Sequence, residues 1–387
     1  MIHLFVNALA ASAGGGLTYI RNLVPHLAAR EDLRATVLLS PELRKEFGEY
    51  PNLSFVESEN TSGWKRSWWE QKMLPELIRR SGANVLLSAG NFALRRSPVP
   101  QILLSRNSLY TSADFYHDLR ARREYRLWVD TRLKGLLAKR SIAWADRAVA
   151  PSQAFARELE QWTGVSVSAI HHGFDREAFF ADSPLPVNVQ QKLDAGKDAL
   201  RLLFVSHYNY YRNFETLFRA LPILRQRLAS RKVRLYLTCR LRSEENPGPY
   251  QAEAAARLVK QLGIDGEVVE LGAVPYDLLH HLYKACDVYV TAAYAETFAH
   301  PLVESMACGL PVVASDLPVH REVCEEAAVY FSRFSPQELS DTVEQIARRP
   351  ALARRLSESG LKRSQEFSWR GHVEALLSLA RQLLSGH

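Results

Sequence analysis

The chain has 387 residues, 47% hydrophobic and 24% charged, which is too long for one ordinary core and reads as two globular domains. Its four cysteines, Cys239, Cys286, Cys308 and Cys324, contain no CxxC pair, which argues against a disulfide framework or a zinc site and fits a reducing cytoplasm. The formal net charge of +7 suits nucleic acid, an anionic membrane or an anionic small substrate without choosing among them, although no recognisable RNA- or DNA-binding module accompanies it.

The opening MIHLFVNALAASAGGG lacks the basic start of a signal peptide, and Asn7 interrupts its apolar run. It therefore reads as a strand and a glycine-rich loop leading into a helix. No later stretch approaches about eighteen uninterrupted apolar residues, so no membrane span is expected. Strand-like runs follow in order: IHLFVN, ATVLLS, NVLLSA, PQILLS, RAVAPS and SVSAIHHG. Helical patterns occupy 16–30, 68–81 and 116–143. The second half repeats the pattern with LRLLFVS, VRLYLTC, EVVELGAV, DVYVTAA, PVVAS and AAVYF, and helices are expected over 213–229, 250–262, 276–285 and 301–307.

Short apolar strands alternating with helices predict parallel sheets covered on both faces. The fold class is α/β, with two Rossmann-like doubly wound sheets whose strand C-termini face one cleft. The predicted domains are 1–181 and 199–367, separated by a proline-rich polar linker at 182–198. A last amphipathic helix at 368–387 is expected to return to the first domain. Residues Arg120 to Arg140 carry eight basic side chains interleaved with Tyr125, Leu127, Trp128, Leu133, Leu136 and Leu137. That pattern fits a surface helix with one face in the core, or a basic amphipathic helix on acidic lipid. GWKRSWWE at Gly63–Glu70 combines tryptophan and basic residues in the same way.

Three strand-to-helix loops carry the candidate chemistry. Gly14, Gly15 and Gly16 let backbone approach a ligand at a helix N-terminus, but Tyr19 stands where a dinucleotide fingerprint needs its third glycine. In FVSHYNYYRNFETLFRAL a strand ends at Ser206, His207 lies just beyond it, and Arg212 sits at the mouth of the next helix, where its guanidinium can fork onto phosphate. In DVYVTAAYAETFAHPLVESMACG, Pro301 suits the first helical position and Gly309 the C-terminal cap. Glu296 lies in the loop and Glu304 one turn inside the helix, so the two carboxylates can reach different hydroxyl-bearing parts of one ligand whose phosphate rests on the intervening amides.

The stretch from Asp287 to Val313 resembles the E-x7-E signature of retaining GT-B glycosyltransferases, in particular glycosyltransferase family four. APSQAFARELEQWTGVSVSAIHHGFD, the Phe204 loop, VVELGAVPYDLLHHLYKACDVYV and RSQEFSWRGHVEALL stand in the order that family shows. The resemblance covers nearly all of the C-terminal domain and, more loosely, the N-terminal one. It implies a GT-B fold with an acceptor-side first domain and a donor-binding second. It further implies that Glu296 bonds the donor sugar, that the backbone of Phe298, Ala299 and His300 lies near sugar and diphosphate, and that Glu304 binds the ribose. Arg212 matches the cation on the diphosphate, and Gly15 and Gly16 match the glycines that close over it. Gly272 to Val274 matches the turn that holds the base through its backbone.

Two departures accompany the match. His207, next to the donor-side candidate Ser206, stands where the family usually has Arg, which leaves one fixed cation fewer against the leaving group unless His207 is protonated or Arg240 substitutes. Beyond PQILLS the chain has Arg106 and Asn107 in place of a histidine, so Arg106, Asn107 and Tyr110 are the acceptor-side candidates. There is no Asp-x-Asp, and the pairs His171-His172 and His280-His281 are adjacent and point apart on regular structure. No metal or other cofactor is expected beyond a nucleotide-sugar co-substrate. The implied activity is metal-independent, retaining hexosyl transfer from a GDP- or UDP-sugar to a glycan or lipid-linked glycan in cell-surface polysaccharide assembly. The expected location is cytoplasmic, with peripheral contact to an anionic membrane and no nucleic-acid partner. A nucleotide-sugar 2-epimerase of the same fold and a catalytically idle sugar-nucleotide binder remain alternatives.

Overall fold

The computed structural model describes residues 1–11, 14–59, 63–180 and 183–386. Outside them lie Ser12 and Ala13 of the glycine-rich loop, Asn60, Thr61 and Ser62, Ala181 and Asp182 at the expected domain end and linker start, and His387. The chain divides into two compact units: Met1–Ser112, Trp128–Gly173 and Ser368–His387 form the first, and Ala113–Leu127 with Phe174–Phe367 the second.

The first unit holds β1 (Ile2–Asn7), β2 (Leu33–Leu39), β3 (Leu53–Glu57), β4 (Val85–Ser88), β5 (Gln101–Leu104), β6 (Arg147–Ala150) and β7 (Val167–Ala169). They pair in the order β3-β2-β1-β4-β5-β6-β7, and every pairing is parallel. The second holds β8 (Leu200–Phe204), β9 (Val233–Leu237), β10 (Val268–Glu270), β11 (Val288–Thr291), β12 (Val312–Ser315) and β13 (Ala328–Phe331), in the parallel order β10-β9-β8-β11-β12-β13. Each is a doubly wound sheet whose order reverses beside its first strand, so switch points fall between β1 and β4 and between β8 and β11. Ligands of such sheets bind at the strand C-termini of a switch point.

Four departures from the sequence reading have local causes. Strand β3 is absent from it because Leu53–Glu57 lies at the sheet edge and buries only Leu53, so it lacks a continuous apolar run. The helix expected from residue 68 starts at Gly63, whose φ of +62° turns the chain into it. The periodic stretch 116–143 is two helices, Ala113–Ala121 and Tyr125–Trp144, broken where Arg123 takes a left-handed φ of +60°. A helix at Val187–Asp194 occupies what reads as linker.

The core of the first unit is completed from the far end of the chain. Tyr19, Ile20, Leu23, Val24 and Leu27 of the Gly14–Ala28 helix share one cluster with Trp369, Val373, Leu376, Leu377 and Ala380 of the Trp369–Ser385 helix. Gly173 permits that contact, since a Cβ there would lie 2.1 Å from the Trp369 amide nitrogen. His372 is buried between the two helices; its Nδ1–H donates to the His171 carbonyl at 2.7 Å, which leaves Nε2 to accept the Tyr19 hydroxyl at 3.0 Å.

In the second unit, the Ala113–Ala121 helix and the turn after it are tied to the strand-end loops. Arg333 reaches Asp114 at 2.9 Å, the Tyr294 hydroxyl donates to Asp118 at 2.7 Å, and Arg122 pairs with Glu215 at 2.7 Å. Among the described residues no helix is long and apolar enough to cross a membrane.

Candidate active site

In the second unit the loops after β8 and β11 meet at the switch point. Asn213 makes that junction. It adopts a left-handed φ of +53°, which Asn tolerates better than most residues, and its Nδ2 donates to the Ala292 and Arg333 carbonyls at 3.1 and 2.7 Å. The Tyr294 amide also donates to the Tyr211 carbonyl at 2.9 Å. These bonds carry Arg212 onto the β11 loop, where its guanidinium forms an ion pair with Glu296.

Both partners are largely buried. Burial alone would raise the Glu296 carboxyl, but Arg212 outweighs it, with His320 and the Thr297 amide assisting, and holds the group below the ordinary range. Glu296 is therefore ionised at neutral pH. The Thr297 amide donates to its other oxygen at 3.0 Å.

The short helix runs over His300–Ala307. Its N-cap, Ala299, has φ +64°, a left-handed conformation that costs a residue with a Cβ roughly 1–2 kcal/mol; such strain gathers at functional sites. Phe298 anchors this turn, packing on Phe367 with ring centroids 5.4 Å apart and on His300 at 5.0 Å. Glu304 is buried one turn further on, where burial pushes its carboxyl up to about 7. The Tyr283 hydroxyl donates to it at 2.7 Å.

The start of the β8 loop and two further strand ends complete this face. After β8, the Ser206 amide donates to Thr238 Oγ1 at 3.0 Å. His207 is exposed on its outer side; loss of water on the inner side and then the charge of Arg212 lower its pKa, so the imidazole is neutral at pH 7. After β9, exposed Arg240 lies 3.5 Å from Glu245. Its side chain runs beside the turn after β10, where Gly272 has φ +83° and a Cβ would come within 3.5 Å of Arg240 Nε. Val274 follows, half-buried.

In the first unit, Arg106 is turned inward. It donates to the Gly15 carbonyl at 3.0 Å and to the Ala89 carbonyl at 2.7 Å, and its guanidinium lies 4.7 Å above the Tyr19 ring. It thus joins the glycine turn to the loop after β4. Asn107 caps the next turn by accepting the Leu109 amide at 3.0 Å, and Tyr110 lines a cavity of about 190 Å³. The expected donor-side residues of the second unit therefore share one strand-end face, while Gly15, Gly16 and Arg106 form a separate braced turn in the first.

Asn213, Tyr283 and His320 are absent from the sequence reading. Only Asn213 carries a local signal, as an Asn between a strand-end loop and a helix. Tyr283 reaches Glu304 by tertiary packing. His320 is fully buried with its Nδ1–H donated to the Ser315 carbonyl at 3.0 Å, and burial pulls its pKa down to about 4 despite the opposing charge of Glu296. Among the described residues no group of three or more His, Cys, Asp or Glu side chains is placed to hold a metal ion.

Residues 188–363 match the family model "Glycosyl transferases group 1", and residues 13–178 match "Glycosyltransferase Family 4". The chain belongs to the family-four glycosyltransferases. Among curated members it is 27% identical to the D-inositol 3-phosphate glycosyltransferase of Frankia alni over 221 residues, 57% of this chain and 54% of that one. To the protein of the same name from Thermobifida fusca it is 26% identical over 248 residues, 63% and 56% of the two chains. The chain thus matches little more than half the length of these relatives.

Solved structures show the GT-B fold of this family member throughout. Sucrose-phosphate synthase from Thermosynechococcus elongatus superposes with a TM-score of 0.78 at 18% identity over 100% of both chains. Anabaena HepE in complex with UDP superposes with a TM-score of 0.72 at 17% identity, over 99% and 100%.

Proposed function

We propose that the protein is a retaining, metal-independent hexosyltransferase that moves a sugar from a UDP- or GDP-sugar to a glycan or lipid-linked glycan. The observation that carries the reading is the buried Arg212–Glu296 pair at the β8/β11 switch point, with the Glu304 carboxyl one helical turn away. Donor entry divides that pair. Arg212 turns to the diphosphate, Glu296 accepts hydroxyls of the sugar, and Glu304 accepts hydroxyls of the ribose. Amides at the start of the His300–Ala307 helix add fixed positive ends for the charge that grows on the departing diphosphate.

In the transfer the bond from the anomeric carbon to the diphosphate oxygen breaks, and a bond to the acceptor oxygen forms on the same face. The acceptor's proton passes to the released diphosphate, so no enzymic nucleophile is required. Because His207 is neutral, Arg212 supplies most of the fixed positive charge on the donor side.

A lipid-linked acceptor, and a place in cell-surface polysaccharide assembly at the cytoplasmic membrane face, are supported by the surface of the first unit. Trp64, Trp68 and Met73 on the Gly63–Ser81 helix and Val129, Leu133 and Leu136 on the Tyr125–Trp144 helix are all exposed, and the two helices line one cavity. Lys65, Lys72, Arg132, Lys139 and Arg140 are exposed among them. An apolar stripe with basic flanks suits the interface of an anionic membrane.

Calorimetric titration of UDP, GDP, ADP and their common sugars without metal tests the donor assignment. One nucleotide should bind with micromolar affinity and bind far more weakly to Glu304→Ala. Folded wild-type protein that binds none of them defeats the reading. Flotation with vesicles containing phosphatidylglycerol, compared with vesicles of phosphatidylcholine alone, tests the membrane contact, and a Trp64→Ala/Trp68→Ala variant should float less.

A further inference from the structure

The first unit has its own switch point, between β1 and β4, and the described cavity opens there. Its floor is made by Ala10 after β1 and by Gly90 and Asn91 after β4, its walls by Trp64 and Arg66 on one helix and Lys134 on another, with Tyr110 beyond. The two loops meet because residue 90 is glycine: a Cβ there would sit 2.6 Å from that of Ala10. Asn91 adopts φ +66°, and its side chain accepts the Arg106 amide at 2.6 Å, so the floor is tied to the braced glycine turn. The volume, about 190 Å³, falls below the roughly 300–1,000 Å³ of sites for drug-sized ligands and suits a single sugar ring.

The polar chemistry of the cavity is lopsided. Arg66 and Lys134 line it, and no carboxylate does among the described residues. Lys134 pairs with Asp130 at 2.6 Å, but that pair is about one-third exposed, where such contacts are weak. Arg66 is more enclosed. Its Nε lies 3.8 Å from the buried Glu70 carboxylate, beyond hydrogen-bond range, and finds no hydrogen-bond partner among the described residues. The same Glu70 oxygen accepts a hydrogen bond from Asn7 Nδ2 at 3.2 Å. Glu70 is therefore a positioning residue: it fixes the inner edge of the guanidinium, and the remaining donors of the fork stay available for a ligand.

We propose that this cavity binds an acceptor that carries a negatively charged group beside its sugar ring, with Arg66 and Lys134 taking the anion and Trp64 offering a flat apolar face to the ring. The inference rests on the transferase reading above and specifies the acceptor it takes. A phosphate or a carboxylate satisfies it, on a soluble sugar or on a lipid-linked one.

Calorimetry with glucose 6-phosphate, glucuronate and glucose, with UDP as a separate titrant, tests the proposal on the full chain. Wild type should bind both anions at least about tenfold more tightly than glucose, the effect of one charge-assisted hydrogen bond. Arg66→Gln should erase that preference, Arg66→Lys should restore part of it, and UDP should bind alike to all three. Lys134→Gln, on a more exposed site, should lower the preference to a smaller degree and serves if Arg66→Gln does not fold. A parallel titration with polyprenyl diphosphate glucose in mild detergent separates the sources: tighter binding with the same Arg66 dependence assigns the anion to a lipid-linked acceptor, weaker binding to a soluble one. Equal affinity for glucose and the anions, a preference that survives Arg66→Gln, or UDP binding without any sugar binding overturns the proposal. Arg66-dependent anion binding in a protein that ignores UDP would leave the cavity standing and defeat the donor assignment instead.

Discussion

At the β8/β11 switch point the charged groups are buried and each already holds a partner, Arg212 through one terminal nitrogen to Glu296 and Glu304 to Tyr283, while Arg212 Nε is left unbonded among the described residues. At the β1/β4 switch point of the first unit the corresponding space is open, lined by two cations and bordered by exposed apolar side chains. The strand order around the two switch points is alike, so the difference lies in the loops and helices that follow the strands. A ligand entering the second unit must exchange existing partners, which favours a molecule rich in both hydroxyls and negative charge. One entering the first meets Arg66, whose nearest carboxylate lies beyond hydrogen-bond range, and Lys134 in a partly exposed pair, where selection falls on the sign of its charge.

Four substitutions would break or sharpen this contrast. The largest effect is expected from Arg212→Gln. Transfer should fall about 10²–10³-fold, as for loss of one preorganised donor. Stability should drop by roughly 3–5 kcal/mol, because Glu296 is left buried without its partner. Adding Glu296→Gln should recover much of the stability in urea titrations and none of the activity; near-normal turnover in Arg212→Gln would show that the pair is only structural.

Glu304→Gln should weaken nucleotide binding by about tenfold to a hundredfold and change the pH profile of stability. The Glu304 carboxyl titrates near 4.5 in the unfolded chain and at about 7 in the fold. Between those values the folded state holds a proton that the unfolded state has lost, so this group's contribution is full below 4.5 and is lost as pH rises through 7. Melting temperatures of wild type should decline across that window more steeply than those of Glu304→Gln. Parallel curves would exclude Glu304 as the titrating group.

His207→Arg should tighten UDP binding several-fold at pH 7 by adding a charge the neutral imidazole lacks. The gain should shrink in wild-type comparisons at lower pH, where His207 itself becomes charged. The smallest change should come from Ala299→Gly. Relief of the left-handed strain, roughly 1–2 kcal/mol, is partly offset by about 0.4–1 kcal/mol of extra freedom in the unfolded chain. A rise in melting temperature of a few degrees at most is expected, and a fall would mean that the methyl group packs usefully in the turn.

The sheets and the loops holding Glu296, Glu304, Arg212 and His207 are legible in the sequence because each candidate lies within one strand–loop–helix stretch, where spacing alone orders the groups. Other features carry no such local record. Tyr283 reaches Glu304 across a turn of packing, and β3 is an edge strand without a full apolar run. The break at Arg123 interrupts no periodicity. The first-unit cavity is assembled from residues near positions 10, 64, 90, 110 and 134, and no short motif brings those together. Arg106 shows the converse: its place after a strand marks it for a ligand, yet its guanidinium is taken up by the Gly15 and Ala89 carbonyls.

The Trp369–Ser385 helix has a consequence for the order in which the molecule is made. Domains generally fold as units during synthesis, the N-terminal one first. Here the Tyr19 side chain and its apolar neighbours wait for Trp369 and His372, which leave the ribosome only after every residue of the second unit. The unit whose strands come earlier in the chain thus closes its core only after the other has been made, and until then the helix face at Ile20, Leu23 and Leu27 lacks its apolar partner.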